Sequence, residues 1–587
     1  CMLFVYGDAP LADELEFLEN RFLASFHSPG TKAEVTDGDI PKAPVFIEET
    51  YAVDSTDITG KTFLAVGTNI STVTNREENT AFQIIANILF NSDGSPLKNS
   101  IVSSGFCKDF GGVYLSTSSY RTLMLTYLVG SEPQHRDTFL DLFQRSLKEM
   151  IEKGIDPDLV NAELNKYEFN YREEASKAQR GLDLIGKAMT ALKYGSDPFE
   201  YLTGEALLAD IRQKALAGGY FEDLINRYLL NNPATVVVTL KPDPKKLEQD
   251  LQEEASRLSH YESSLSLEQK LQITERTQEL MDEQMRPNSA ETLALLPHLG
   301  LEDLEKKVDF HSVTPTTMFG KQVLLSELPT NHISYFDAGF DARCLRPDQL
   351  LFLDLFGTIV TEIGTKRLNF QQFAKEVATS TGGFSHSLTT YTHRDKQSPT
   401  YPVCWFHLKW LPTSMEQAMD LLAEVFSSVT FANRSRIAEI VSREYAWAEH
   451  SVQSEGFSLP TTRAFSHLSE AGKYNEMLNG VSSYLALKQL ATNYPAQEEA
   501  FLAMLSEIAS TLFNRSNLLL SLTAEEQEIN IFSTDGNRII ESLGSQSVTH
   551  PPLNFNASGD HEAFITSAEV VFAVQAGDLF PKGQDYN

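Results

Sequence analysis

Two helix-and-strand patterns recur along this chain at nearly one offset. A helical run from Ala81 to Leu89, a second from Ser95 to Ser103 and the pair Gly111-Gly112 precede a β-prone stretch, Val113 to Ser118. The same order returns as Leu350 to Glu362, Phe370 to Thr379 and Gly382-Gly383 before Phe384 to Leu388. Gly112 and Gly383 lie 271 positions apart. Val237 and Leu520, inside the apolar runs Thr235 to Leu240 and Asn517 to Leu522, lie 283 apart. Tandem duplication of a whole domain accounts for both offsets. Each copy opens on an extended run, Thr62 to Gly67 and Ile333 to Asp337, and a third such opening is expected at Ala568 to Val574.

The 587 residues exceed what one core holds, about 250–300 residues, so two large domains with connectors are expected. Leu3 to Tyr6 reads as a buried strand running through Gly7-Asp8-Ala9-Pro10 into an acidic amphipathic helix, Leu11 to Phe26. A domain rarely opens on such a strand, so the chain is expected to begin inside one domain and to stop inside another. Between the copies, Lys245 to Tyr261 and Leu267 to Met285 are charged, heptad-like and free of Gly and Pro. Ser266 and Gln269 fit a capping box and Pro287 closes the second run. This predicts a helical hairpin, acting as a hinge or as a rigid spacer. The expected organisation is a first-domain tail over 1–45, a second domain over 46–244, the hairpin over 245–290, a third domain over 291–530 and the start of a fourth over 531–587.

Forty-eight basic against 80 acidic residues leave a net charge of −32. That excludes nucleic acid as a partner, because phosphate binding needs a basic face. No apolar run approaches the roughly 18–20 residues that span a bilayer, so no membrane partner is expected. Cys1, Cys107, Cys344 and Cys404 form no CxxC pair and read as reduced thiols.

The 13 histidines offer no zinc motif. A helical zinc site places two His one turn apart with a Glu beside them, and neither HExxH nor HxxEH occurs. His467 has Glu470 but no second His, His561-Glu562 has Ile565 in that place, and His386 and His393 flank the run Ser387 to Thr392. No GxSxG elbow or P-loop is present. The glycine pairs precede strands rather than helices, so they suit close backbone approach rather than phosphate. No catalytic and no metal residue is assigned, and the substrate-binding residues are unknown.

Glu362-Ile363-Gly364-Thr365-Lys366, Leu368-Asn369-Phe370 and Thr381-Gly382-Gly383 resemble the third domain of presequence proteases, a branch of the pitrilysin/insulinase zinc peptidases. Gly94-Ser95-Pro96-Leu97, Ser103-Ser104-Gly105, Asp197-Pro198-Phe199 and Lys241-Pro242-Asp243-Pro244 are similar to the second domain of those proteins, and the hairpin to the segment joining their halves. The resemblance implies an α+β fold of two homologous units, each an antiparallel sheet with helices on one face. It implies a four-domain clamshell whose closed chamber admits short unfolded peptides. Zinc sits in the first domain on HxxEH and a distant Glu, and the fourth domain adds an Arg and a Tyr. None of those residues maps onto this sequence. The chain is therefore expected to be the inactive central scaffold of a zinc metalloendopeptidase, with no cofactor of its own and zinc in the full-length protein. Its partners are then peptide substrates and the missing first and fourth domains, in the cytoplasm or an organellar matrix. The alternative is a non-catalytic relative acting as a structural or peptide-binding subunit.

Overall fold

The computed structural model describes residues 3–577 apart from 28–34, 36, 54–55, 92–94, 118, 297, 305, 308–312, 394–399, 455, 556–560 and 566–570. The chain divides into two compact units. One comprises Cys1–Asp156 with Gly181–His311, the other Pro157–Arg180 with Ser312–Asn587. No helix among the described residues is long and apolar enough to cross a membrane.

The first unit is built on β1 (Val45–Ala52), β2 (Thr62–Thr72), β3 (Asp109–Leu115), β4 (Arg121–Ser131) and β5 (Thr235–Asp243), ordered β1-β5-β2-β4-β3. In β2 the side chains alternate between buried and half-buried, the period-2 signature of a sheet with one covered face. Leu64 and Val66 on that face join a core with Phe82, Phe90, Phe110 and Phe139. Helix Arg76–Ala86 starts where Asn75 accepts a hydrogen bond from the Glu78 amide, and Pro96–Val102 where Ser95 does the same for Lys98.

The second unit is built on β6 (Thr314–Met318), β7 (Lys321–Glu327), β8 (Ser334–Asp341), β9 (Phe384–Tyr391), β10 (Tyr401–Trp410) and β11 (Leu518–Ala524), ordered β6-β7-β11-β8-β10-β9. Setting aside the added edge strand β6, the two sheets share one topology. In each, the last strand enters between the first, to which it is parallel, and the second, to which it is antiparallel. Val237 faces Val66 in one sheet and Leu520 faces Ala338 in the other, so the landmarks that betrayed the repeat hold the same place in both copies.

Four expectations are corrected. The sheets are not wholly antiparallel: each carries one parallel pair, closed by residues about 190–200 positions apart. Leu3 to Tyr6 is not a strand; it has no partner to satisfy its backbone, and Leu3, Val5 and Tyr6 are exposed. Val571 to Val574 form no strand either, and 568–570 lie outside the described residues. Gly111-Gly112 lie within β3 rather than ahead of it.

The intervening helices, Lys246–Ser264 and Leu267–Met285, bury no residue. Their junction forms the capping box: Ser266 Oγ accepts from the Gln269 amide at 3.2 Å and Gln269 Oε1 from the Ser266 amide at 2.8 Å.

Candidate functional site

The side chains of the second sheet divide by parity. Phe336, Ala338 and Phe340 of β8 and Cys404, Phe406 and Leu408 of β10 enter the helix-covered core. The alternate residues point to the other face. There β8 offers Tyr335 and Asp337, β10 Trp405, His407 and Lys409, and β9 Ser385, Ser387 and Tyr391. This face is half exposed: the His407 side chain is 38% accessible and that of Asp337 33%.

Asp337 and His407 are direct cross-strand partners. His407 Nδ1 lies 2.7 Å from Asp337 Oδ1, and His407 Nε2 lies 2.8 Å from Ser387 Oγ. A carboxylate only accepts, so Nδ1 carries the proton and donates it, and Nε2 accepts from the Ser387 hydroxyl. This is the order of groups that activates a serine nucleophile. Acyl transfer also needs donors aimed at a developing oxyanion. Here the three side chains lie mid-strand, where backbone amides serve the ladder rather than a turn or helix start. The arrangement supplies directed hydrogen bonding to a bound chain.

Beside it, Trp405 Nε1 donates to Tyr391 Oη at 3.1 Å, and Trp405 spans Gly339, where an added Cβ would fall 2.7 Å from the indole. At the other end Glu173 Oε1 accepts from Lys409 Nζ at 2.5 Å and from Tyr335 Oη at 3.2 Å. Burial, with the adjacent Glu173 charge, pushes the Tyr335 hydroxyl up to about 12. Glu173 ends helix Pro157–Glu173, which is pinned to this unit by Phe169 packing with Ile333 and Leu411 and by Asn165 Nδ2 donating to the Thr379 carbonyl at 2.6 Å.

The histidines singled out in sequence are used elsewhere. His386 Nε2 meets Asp354 Oδ1 at 3.1 Å, and His393 lies beyond the end of β9. His467 and Glu562, from two unrelated near-motifs, come within 3.3 Å of each other. Arg463 clamps Glu562 with two hydrogen bonds, at 2.6 and 2.8 Å, and lies 3.1 Å from the fully buried Glu476. The Arg463 guanidinium holds the Glu562 carboxyl down at about 2. Cys107, Cys344 and Cys404 are free; burial pushes the Cys344 thiol up to about 12 and raises that of Cys404, so both are inert packing residues. Ser387, His407 and Asp337 are not legible as a group in the sequence because 50 and 20 positions separate them, and only strand register brings them together.

The zinc of the resembling family requires two His and a Glu. Among the described residues the metal-competent cluster is His332, Glu525 and Glu528, which holds one His. These residues do not fit that centre.

Residues 1–167 match the family described as peptidase M16 inactive domain, and residues 240–490 that described as peptidase M16 subfamily C associated. The chain is 24% identical over 587 residues to protein HypA of Clostridium perfringens, covering 100% of this chain and 60% of the relative. It is 25% identical over 515 residues to presequence protease 1, chloroplastic/mitochondrial, of Arabidopsis thaliana, covering 86% and 47%. It is 24% identical over 559 residues to the mitochondrial presequence protease of Mus musculus, covering 94% and 53%. The chain thus spans about half of the length of the curated relatives it matches. With the duplicated sheet topology, these matches place it: the chain belongs to the presequence-protease-like branch of the pitrilysin peptidase family.

Proposed function

We propose that this chain is the central scaffold of a zinc metalloendopeptidase that degrades short unfolded peptides in a closed chamber, and that the half-open face of its second sheet contacts the peptide. The observation that carries the reading is a duplicated family fold across a sequence without HExxH or HxxEH. The zinc then comes from a domain outside this sequence. The polar and aromatic groups of the sheet face, from Tyr391 through His407 to Lys409, supply hydrogen bonds and ring surface to an extended chain without selecting one sequence. The charge of −32 suits basic peptides, which long-range attraction steers inward. The cytoplasm or an organellar matrix is the compartment this reading expects, in keeping with the names of the plant and mouse relatives.

Fluorescence anisotropy of a labelled, unstructured basic peptide tests the reading. The chain is expected to bind it, and His407→Ala and Tyr391→Ala to weaken binding severalfold at unchanged melting temperature. Absence of binding, or equal binding by both variants, refutes the peptide-facing role.

A second reading, a non-catalytic relative retained as a structural or peptide-binding subunit, is favoured by the inactive-domain match over residues 1–167. Zinc content separates the two: a full-length enzyme holds about one zinc per chain and loses peptide cleavage to a chelator, whereas the subunit holds none at a family site.

A further inference from the structure

The turn between β7 and β8 brings His332 against the start of helix Glu526–Asp535. His332 Nδ1 lies 3.4 Å from Glu525 Oε2 and 3.3 Å from Glu528 Oε1. The ligand-capable atoms of these three residues all lie within 4.8 Å of one another. Carboxylates at a helix N-terminus are ordinary on their own, because they answer the helix dipole. Two features go beyond that. First, both carboxylates converge on one ring nitrogen, which bears at most one proton, and both distances exceed the roughly 2.7–2.9 Å of a charge-assisted hydrogen bond. Second, Glu528 is 2% exposed and its Oε2 has no hydrogen-bond partner, a costly state for a buried carboxylate left to itself.

A cation resolves both. Zinc binds His nitrogen and carboxylate oxygen at about 2.0–2.2 Å, and the edge of a tetrahedron with such bonds is about 3.3–3.6 Å. The two observed separations fall in that range. The ring is also held in place before any ion arrives. Asn331 and His332 both adopt left-handed backbone, with φ of 56° and 63°, a conformation non-glycine residues enter only when their surroundings impose it. The His332 amide donates to Glu525 Oε1 at 3.0 Å. Arg172 Nη1 donates to the Asn331 carbonyl at 3.2 Å, and Asn331 Nδ2 to the Arg172 carbonyl at 3.3 Å. Glu525 therefore spends one oxygen on the turn and offers the other to the cluster. The His332 side chain is 55% exposed, which leaves a side open to water as a fourth ligand.

We infer that His332, Glu525 and Glu528 form a binding site for a divalent transition metal of the zinc–manganese class, which staples the β7–β8 turn to the helix Glu526–Asp535. One imidazole and two carboxylates select such ions over the all-oxygen preference of calcium and magnesium. The role is structural and independent of the proposed peptide function, so each can fail without the other.

The test uses the untagged 587-residue chain, stripped of metal, titrated with Zn²⁺ by calorimetry and with Co²⁺ by visible absorption. Wild type is expected to bind one equivalent more than His332→Gln and Glu528→Gln, with cobalt bands of a low-coordinate nitrogen–oxygen site and a melting temperature that rises with zinc. Each variant is expected to lose at least tenfold in affinity at that equivalent. Glu525→Gln serves as a second ligand variant should Glu528→Gln unfold. Equal stoichiometry and affinity in wild type and His332→Gln, or no zinc-dependent rise in wild-type melting temperature, overturns the assignment and leaves an ion pair only.

Discussion

Gly112 occupies the middle of β3, where an added Cβ would lie 2.6 Å from the ring of Phe90, itself 1% exposed. The ring has no room to retreat, so Gly112→Ala is expected to cost about 1–3 kcal/mol of stability, read from the midpoint of urea unfolding. At the matching point of the second copy the reason differs: Gly383 has φ of 134°, and there substitution strains the backbone rather than the core. Glu562 gives a pH signature. Its folded value of about 2 lies below the ordinary 4.5, so its contribution is fully present above pH 4.5 and is lost as pH falls through about 2. The stability difference between wild type and Glu562→Gln is therefore expected at pH 7, shrinking across that window; a difference that grows on acidification would contradict the Arg463 clamp.

Among the elements, strands and helices with strong local patterns are legible in the residues alone. Leu267–Met285 begins and ends as its capping box and Pro287 predict. Since that helix buries nothing, Ser266→Ala is expected to cost about 0.5–2 kcal/mol locally. Amide exchange in the first turn should speed up while the melting temperature of the whole chain stays put. Partnership is what local pattern does not carry. Nothing in Val45–Ala52 or Lys321–Glu327 announces a parallel neighbour near residue 240 or 520, and Leu3 to Tyr6 has the composition of a strand but no partner. The candidate site stays hidden for the same reason, since Ser387, His407 and Asp337 meet only through the register of β8, β10 and β9. Where β8 and β10 face the helices, Phe513 has ring centroids of Phe340, Phe406 and Phe426 at 5.2, 5.5 and 5.0 Å. Phe513→Ala is expected to cost about 3–5 kcal/mol, measured by denaturant unfolding.

On the scale of the whole molecule, duplication explains more than any single motif. Two copies of one sheet topology repeat the same device, a last strand inserted beside the first, and neither copy brings together the two His and Glu of the family's metal centre among the described residues. The acidic surface, the half-open polar sheet face and the helices with no buried side chain suit a wall and a connector more than a catalytic core. The His332 cluster fits that picture as a staple. The most direct measurement incubates this chain with excess zinc and an unstructured basic peptide and follows cleavage by mass spectrometry, with and without chelator. The account predicts an intact peptide in both arms. Chelator-sensitive cleavage by this chain alone would contradict it.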